Sequence, residues 1–258
     1  MITLEEPLEI RLAHGSGDAR TEQTISITMR TPGQDSELAL GFLFTEGIVA
    51  SANDVDSVEH CGPPSPDKGL QNVVKVELAP GVEFDSDLLA RHFYTTSSCG
   101  VCGKTSIAAV RVNIPEYSAD DTFSIDAATL GQLPARLTKD QGEFNRTGGL
   151  HASGLFDTAG KVAVLREDVG RHNALDKLVG SQLDAGTLPL HDRGIILSGR
   201  ASFELLQKAA MAGCPFVASI GPPSSLAVEL AEEQGISLVG FLKTHRFNIY
   251  THPERITR

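Results

Sequence analysis

The second half of the chain alternates short apolar runs with amphipathic stretches, and this alternation constrains the fold more than any other sequence feature. Four apolar runs, at residues 161–165, 194–197, 216–220 and 237–241, are typical of buried strands. The stretches between them, at residues 173–179, 203–212 and 224–234, have the pattern of helices. Strands and helices alternating at this spacing predict an α/β layered sheet.

The first half shows a different pattern of apolar and polar residues, and this pattern predicts a smaller α+β subdomain. Residues 24–29 and 73–78 alternate with the period of two that a half-buried strand shows. Residues 38–44 form a compact apolar run, preceded by acidic and hydroxyl residues that suit the start of a helix.

A boundary between the halves is expected near residues 120–124. Beyond it, residues 125–137 predict a helix with Asp126 as its N-cap. The predicted domains are therefore an N-terminal α+β subdomain, 1–122, and a C-terminal subdomain, 123–258.

Charge and hydropathy exclude several functional classes. Acidic residues outnumber basic ones 33 to 22, and this disfavours a general nucleic-acid-binding protein because neutralising phosphates needs a surplus of Lys and Arg. No apolar run approaches the roughly 18–20 residues of a membrane span, and residues 1–20 lack the apolar segment of a secretory signal. We therefore expect a cytoplasmic protein that binds neither nucleic acid nor membrane.

Two of the four cysteines form the pair Cys99-x-x-Cys102, within T-T-S-S-C-G-V-C-G-K. A structural zinc site needs four ligands, but Cys61 and Cys214 are isolated and His92 lies at an unusual spacing. A thioredoxin-like dithiol would sit at a helix start, where Gly100 and Gly103 fit poorly. A sulfur carrier needs an exposed thiolate on a loop of small residues, and the residues alone favour this third interpretation only slightly.

Polar turns follow the predicted strands of the second half. The stretch R-E-D-V-G-R-H-N-A-L-D-K, residues 166–177, is dense in charged side chains. S-G-R-A-S-F-E (198–204) and G-P-P-S-S (221–225) also connect a strand to a helix, and Ser202 could cap its helix. Such turns should meet at one sheet edge, the expected place for a nucleotide-like anion. Each of them taken alone is more often a solvated turn.

Six stretches together resemble a known family. In chain order they are T-P-G-Q-D-S-E-L-A-L-G-F-L-F-T-E-G-I, S-S-C-G-V-C-G-K, T-G-G-L-H, E-D-V-G-R-H-N-A-L-D-K, S-G-R-A-S-F-E and L-V-G-F-L-K-T-H-R-F-N-I-Y-T. They are similar to the motifs of the formate dehydrogenase accessory sulfurtransferase family (FdhD/NarQ) across residues 29–251. The resemblance implies a homodimer with a cytidine-deaminase-like layered mixed sheet in the C-terminal half. The zinc signature of true deaminases, His-x-Glu with a later Pro-Cys-x-x-Cys, is missing, which argues against deamination.

The resemblance also implies a function. A cysteine desulfurase would transfer sulfur to Cys99 as a persulfide. The protein would pass this sulfur to a molybdenum (or tungsten) bis-guanine-dinucleotide cofactor that it holds, before formate dehydrogenase receives the cofactor. The family's cofactor-binding stretch matches Phe241, Leu242, Lys243, Thr244, His245 and Arg246. Lys243 stands where many relatives have arginine, so it lacks the bidentate phosphate contact that arginine makes.

The sequence thus predicts that Cys99 carries the sulfur and that Cys102 releases it by resolving the persulfide. Arg166, Arg171 and His172 are further candidates for contacts with the cofactor. The residues leave two alternatives open, a cofactor chaperone without sulfur transfer and a dithiol redox protein.

Overall fold

A computed structural model describes residues 1–15, 20–84, 112–117 and 123–258. Cys99, Cys102 and His92 lie outside these residues, so the predictions made for the cysteine pair concern a part of the chain that the structure does not describe.

The N-terminal half contains a four-stranded mixed sheet with the strand order β2-β1-β4-β3. Its strands are β1 (Glu6–His14), β2 (Thr21–Arg30), β3 (Val55–His60) and β4 (Val73–Leu78). The predicted strand at residues 24–29 lies within β2, and the one at 73–78 coincides with β4. Strands β1 and β3 were missed, although Leu8, Ile10 and Leu12 of β1 are buried with the alternation expected of a strand.

Helix α1 (Asp35–Thr45) confirms the helix predicted at residues 38–44. It crosses helix α4 (Arg171–Asp184) at a pair of glycines. A β-carbon added at Gly41 would lie 1.8 Å from the carbonyl oxygen of Asp176, and one added at Gly180 would lie 1.8 Å from that of Glu37. The two helices therefore pack backbone against backbone, and this crossing joins the two halves of the chain.

The C-terminal half contains a six-stranded mixed sheet with the order β11-β10-β9-β8-β6-β7. Its strands are β6 (His151–Phe156), β7 (Val162–Asp168), β8 (Gly194–Leu197), β9 (Phe216–Ser219), β10 (Ser237–Lys243) and β11 (Arg246–Thr251). Strand β6 is antiparallel to both of its neighbours, whereas β8, β9 and β10 are parallel. The four strands predicted here are confirmed within a few residues, and β6 and β11 were missed.

Helices cover both faces of this sheet. They are α2 (Ala127–Asp140), α3 (Gly142–Thr147), α4, α5 (Phe203–Met211) and α6 (Ser225–Glu233). Helices α4, α5 and α6 share one apolar core with α1 and the N-terminal sheet, and α2 packs a second core on the opposite face. The predicted α/β class with a layered mixed sheet is confirmed, and the likeness of this sheet to that of cytidine deaminases stays a prediction. None of the helices within the described residues combines the length and apolarity needed to cross a membrane.

The helix predicted at residues 125–137 is confirmed, with a corrected start. Asp126 is its N-cap, and the carboxylate accepts a hydrogen bond from the Thr129 backbone N–H at 3.0 Å. Ile125–Asp126 instead form the short strand β5, which pairs with β12 (Ile256–Thr257) at the end of the chain. This pairing partner is too distant in sequence for local periodicity to reveal it. The division at residue 122 stays a prediction, because one apolar core includes residues of both halves.

Candidate functional site

The strand-to-helix turns of the large sheet meet at one edge. Leu197 at the end of β8 pairs with Ser219 at the end of β9, and β10 runs parallel to β9. Because β6 is antiparallel to its neighbours, its first residue, His151, pairs with Asp168 at the end of β7. The turns at residues 168–171, 198–202 and 220–224 therefore lie along the same edge, as the sequence predicts.

Backbone hydrogen bonds tie these turns to one another. The Gly221 N–H donates to the Gly199 carbonyl at 2.9 Å, and the Phe241 N–H donates to the Gly221 carbonyl at 3.0 Å. A β-carbon at Gly221 would lie 2.9 Å from the Gly199 oxygen, so the turns approach too closely for a side chain there. The edge is thus a connected surface of backbone rather than a set of independent loops.

Three consecutive residues at the end of β7 bind three different elements. Arg166 forms a two-point ion pair with Glu37 of α1, with Nη2 donating to Oε1 at 2.7 Å. The Glu167 carboxylate accepts hydrogen bonds from the backbone N–H groups of Glu143 and Phe144 in the first turn of α3. Charged side chains of the stretch that begins at Arg166 therefore form ion pairs and hydrogen bonds with other elements of the protein.

Asp168 makes the most extensive of these contacts. Its buried carboxylate lies 2.7 Å from Lys177 Nζ and accepts the backbone N–H groups of Thr31 and Gly170 at 3.1 and 2.8 Å. Lys177 also donates to the Thr31 carbonyl at 2.8 Å. The ion pair thereby anchors the start of α4 to the turn between β2 and α1.

Two residues of the same stretch that the sequence predicts to contact the cofactor have a side-chain nitrogen without a hydrogen bond. Within the described residues, five buried side-chain nitrogen or oxygen atoms lack a hydrogen-bond partner, and three of them lie at this edge: Arg171 Nε, His172 Nε2 and Ser202 Oγ. Arg171 and His172 begin α4. Ser202 occupies the N-cap position of α5 but makes no capping hydrogen bond, contrary to the prediction. Unpaired buried donors beside two helix N-termini fit an anionic ligand.

His151 completes this cluster, although only its motif, T-G-G-L-H, was singled out in the sequence. Burial lowers the pKa of His151, and the nearby Arg171 and His172 lower it further, against the opposing effect of Asp168. His151 is therefore a neutral imidazole near pH 7, which can accept a proton or a hydrogen bond from a ligand.

Glu204 is the nearest carboxylate, with Oε2 3.9 Å from His172 Nε2. Burial alone would raise the pKa of the Glu204 carboxyl. Its interactions with His172 and with its own backbone N–H outweigh burial, however, and lower the pKa from 4.5 to about 2. Glu204 is therefore ionised at neutral pH and compensates part of the positive charge of the cluster.

The lowered pKa of Glu204 predicts a pH-dependent contribution to stability. A depressed folded-state pKa stabilises the fold above the unfolded value, and this contribution is lost as pH falls from about 4.5 to about 2. We expect Glu204→Gln to lower the free energy of unfolding by about 1–3 kcal/mol at neutral pH. The difference from wild type should vanish near pH 2 in urea titrations, whereas Glu229→Gln, at an exposed position of α6, should change nothing. A difference that persists unchanged into acid would contradict the assignment.

Arg166 also lines a cavity of about 600 Å³ beside β7. Thr31, Arg146, Glu167 and residues 1–4 contribute to its wall. Both arginines in this cavity are paired, Arg166 with Glu37 and Arg146 with Glu143. Ion pairs therefore neutralise the positive charge of both arginines in the cavity. The sheet edge at Arg171 and His172 is the better place for an anion.

The predicted cofactor-binding stretch forms the hairpin between β10 and β11. Lys243, Thr244, His245 and Arg246 are exposed at its tip, and Phe241 is 43% exposed. Leu242 is 1% exposed and packs in the core on the α2 side, so it supports the hairpin rather than facing a ligand. Helix α2 holds the tip closely, since a β-carbon at Gly131 would lie 2.6 Å from the Thr244 carbonyl oxygen.

The two cysteines within the described residues do not have the exposed, readily deprotonated thiol that sulfur transfer requires. Cys214 is buried, and burial raises the pKa of the half-buried Cys61 thiol. The described ranges contain no group of three His, Cys, Asp or Glu residues placed to hold a metal ion.

Comparisons with known proteins agree on one family. The model of the FdhD/NarQ family matches residues 4–257. The chain is 49% identical over 257 residues to the sulfur carrier protein FdhD of Mycolicibacterium paratuberculosis, covering 99% of this chain and 91% of that protein. It is 48% identical to the protein of the same name from Streptomyces avermitilis, covering 99% and 88%. A solved structure from Desulfotalea psychrophila, described as a formate dehydrogenase accessory protein, has the same fold, with a TM-score of 0.70, 24% identity and coverage of 99% and 90%.

Proposed function

The chain belongs to the FdhD/NarQ family, and from this premise we propose that it is a sulfur carrier that serves formate dehydrogenase. Cys99 accepts sulfur as a persulfide from a cysteine desulfurase. The sulfur then goes to a molybdenum or tungsten bis-guanine-dinucleotide cofactor, which the protein holds as its substrate before insertion into formate dehydrogenase. Two curated relatives that match nearly the whole chain are named sulfur carriers, which supports the carrier role.

The observation that carries the proposal from the structure is the set of unpaired donors at the sheet edge. Arg171 Nε, His172 Nε2 and Ser202 Oγ are buried without a hydrogen bond of normal length among the described residues, although the Glu204 carboxylate interacts with His172 and Ser202. A buried donor without a partner is unfavourable by about 1–3 kcal/mol, so three at one place favour a ligand that supplies acceptors. The phosphate oxygens of a dinucleotide supply them, and the residues present therefore fit this substrate.

The hairpin extends the proposed site along the same edge. Lys243 and Arg246 face each other in register at its tip, and both are exposed. From β10 to β7 the edge crosses four strand spacings, roughly 19 Å at about 4.8 Å each. Only an elongated ligand can contact the hairpin and the start of α4 together, as a cofactor with two nucleotide ends can. Arg166, held by Glu37, contributes to the site chiefly by fixing β7 to α1.

The covalent steps balance with the two cysteines, the donor persulfide and a thiol reductant. The Cys99 thiolate attacks the terminal sulfur of the donor persulfide, the sulfur–sulfur bond of the donor breaks, and the donor leaves as a thiolate. The Cys102 thiolate then attacks Cys99 Sγ, so that a Cys99–Cys102 disulfide forms and the outer sulfur leaves as hydrosulfide for the acceptor. A thiol reductant restores the pair for the next cycle. No net oxidation occurs in the first step. In the second, the two cysteine sulfurs are oxidised to the disulfide, and their two electrons reduce the outer sulfur to hydrosulfide.

Intact-mass spectrometry tests the proposal directly. After incubation with a cysteine desulfurase and cysteine, the protein should gain one sulfur atom that a reductant removes. A chaperone that only holds the cofactor gains none, and a dithiol redox protein shows only loss of two hydrogens as its disulfide forms. A structural zinc protein would instead contain stoichiometric metal and unfold with chelator. A homodimer, which the resemblance implies, is part of the proposal and is measured by sedimentation of the same sample.

A further inference from the structure

Helices α4 and α5 are joined by two pairs of oppositely charged or titratable side chains, one helical turn apart. On α4, His172 and Asp176 are four residues apart and therefore lie on one face of the helix. On α5, Glu204 and Lys208 have the same spacing. His172 lies opposite Glu204 at the sheet edge, which we call the outer pair. Asp176 lies opposite Lys208, which we call the inner pair.

The inner pair is tight and fully buried. Lys208 Nζ lies 2.9 Å from Asp176 Oδ1 and 3.3 Å from Glu46 Oε1. Lys208 also donates to Thr45 Oγ1 at 2.9 Å, and Thr45 donates to Asp176 Oδ1 at 2.8 Å. A buried ion pair with this many hydrogen bonds is a rigid part of the core. The inner pair therefore fixes α5 against α4, and with it the position of Glu204 one turn away.

The outer pair is loose by comparison. Glu204 Oε2 lies 3.9 Å from His172 Nε2, which is beyond hydrogen-bond distance. Ser202 Oγ and His172 Nε2 make no hydrogen bond of normal length within the described residues, although the Glu204 carboxylate interacts with both side chains. Glu204 is thus an internal anion that stands close to the donors of the edge without satisfying them.

A carboxylate in this position has two opposite effects. In the protein without a ligand, it balances the positive charge of the edge, to which Arg171 contributes. When an anion binds to the same donors, the carboxylate lies within a few ångströms of it and repels it. Because both groups are sheltered from solvent, salt screens this repulsion less than it would at the surface.

We propose that Glu204 is the internal counter-ion of this edge and that it limits the affinity of the protein for the phosphate groups of its substrate. This inference rests on the proposed function and adds a residue that sets how tightly the substrate is held. Limited affinity suits a carrier, because the cofactor has to leave for formate dehydrogenase. Glu204 therefore acts on affinity and takes no part in sulfur transfer.

Calorimetric titration of the full chain with inorganic pyrophosphate tests this role. Glu204→Gln removes the negative charge and nearly preserves the shape of the side chain. Removing a like charge at about 4–6 Å strengthens binding of an anion roughly 5- to 50-fold, and we expect a gain of this size. Glu204→Asp keeps the charge and should bind within about threefold of wild type. Glu229→Gln is the matched control, because it changes the net charge equally at an exposed position of α6, and it should leave the affinity unchanged.

The combination of stability and affinity separates the counter-ion role from a purely structural one. Glu204→Gln should be less stable than wild type at neutral pH and yet bind pyrophosphate more tightly, whereas loss of a merely structural contact would not strengthen binding. Equal or weaker binding by Glu204→Gln, while wild type binds, would overturn the counter-ion role and leave the proposed function intact. Failure of both proteins to bind pyrophosphate would overturn the cofactor-holding part of the proposed function as well.

Discussion

Replacing Gly41 with alanine should separate α1 from α4 and lower the free energy of unfolding by more than about 3 kcal/mol. The new β-carbon would lie 1.8 Å from the Asp176 carbonyl oxygen and 2.8 Å from the Gly180 nitrogen. Both are backbone atoms of a buried helix, which no rotamer change can move. Separating the helices would also disturb the buried pair of Asp176 and Lys208, whose charged groups are 2.9 Å apart.

Urea denaturation followed by circular dichroism measures this effect. Gly142→Ala is the control, because Gly142 also lies in a helix but has open space around a β-carbon. It should change stability by less than about 1 kcal/mol, in the stabilising direction if at all. Gly180→Ala should resemble Gly41→Ala, since each glycine accommodates the backbone of the other helix. Near-wild-type stability of both variants would show that the crossing tolerates a wider spacing.

Cys99→Ala should abolish sulfur uptake, with a loss on the order of 100-fold or more, because the proposed mechanism assigns the attack on the donor persulfide to the Cys99 thiolate. In the mass experiment this variant should gain no sulfur from the desulfurase, and it should fail to activate formate dehydrogenase. Cys61→Ala is the control. Burial raises the pKa of the Cys61 thiol, which reduces its thiolate fraction, so uptake should equal that of wild type. Labelled sulfur on Cys99→Ala would remove the first step of the mechanism.

Cys102→Ala distinguishes the second step from the first. This variant should still accept sulfur on Cys99, since the attack on the donor does not involve Cys102. It should lose most activation of formate dehydrogenase, because the persulfide is then not resolved by disulfide formation. Full activation by Cys102→Ala would assign release of the sulfur to another group and leave the carrier role of Cys99 intact.

Local sequence pattern was sufficient for most of the C-terminal fold. The apolar run at residues 194–197 is buried on both faces, and β8 has those bounds. Strand β6 was missed because its sequence, H-A-S-G-L-F, mixes polar and small residues with apolar ones and shows neither a continuous apolar run nor a clear alternation. Strands β5 and β12 pair across almost the whole C-terminal half. Pairing at such a separation leaves no trace in local periodicity.

The site was predictable as a region but not residue by residue. Sequence shows that Arg166 and Arg171 share one charged stretch. It cannot show that Glu37, more than a hundred residues away, neutralises the first and leaves the second with an unpaired nitrogen. The positive φ of Phe241 likewise accompanies a register break between β10 and β11. Partner choice and register are tertiary properties, and these decide which of the predicted site residues keep polar groups available to a ligand.

The glycine crossing of α1 and α4 has a consequence for synthesis on the ribosome. Helix α1 begins at Asp35, and the helix it packs against begins at Arg171. At about 5–20 residues per second, the partner emerges roughly 7–27 seconds later. During that interval Thr45, which is fully buried in the finished protein and hydrogen-bonded to Asp176 of α4, lacks this partner. Chaperones therefore have most to protect during the interval in which only the N-terminal half has been synthesised.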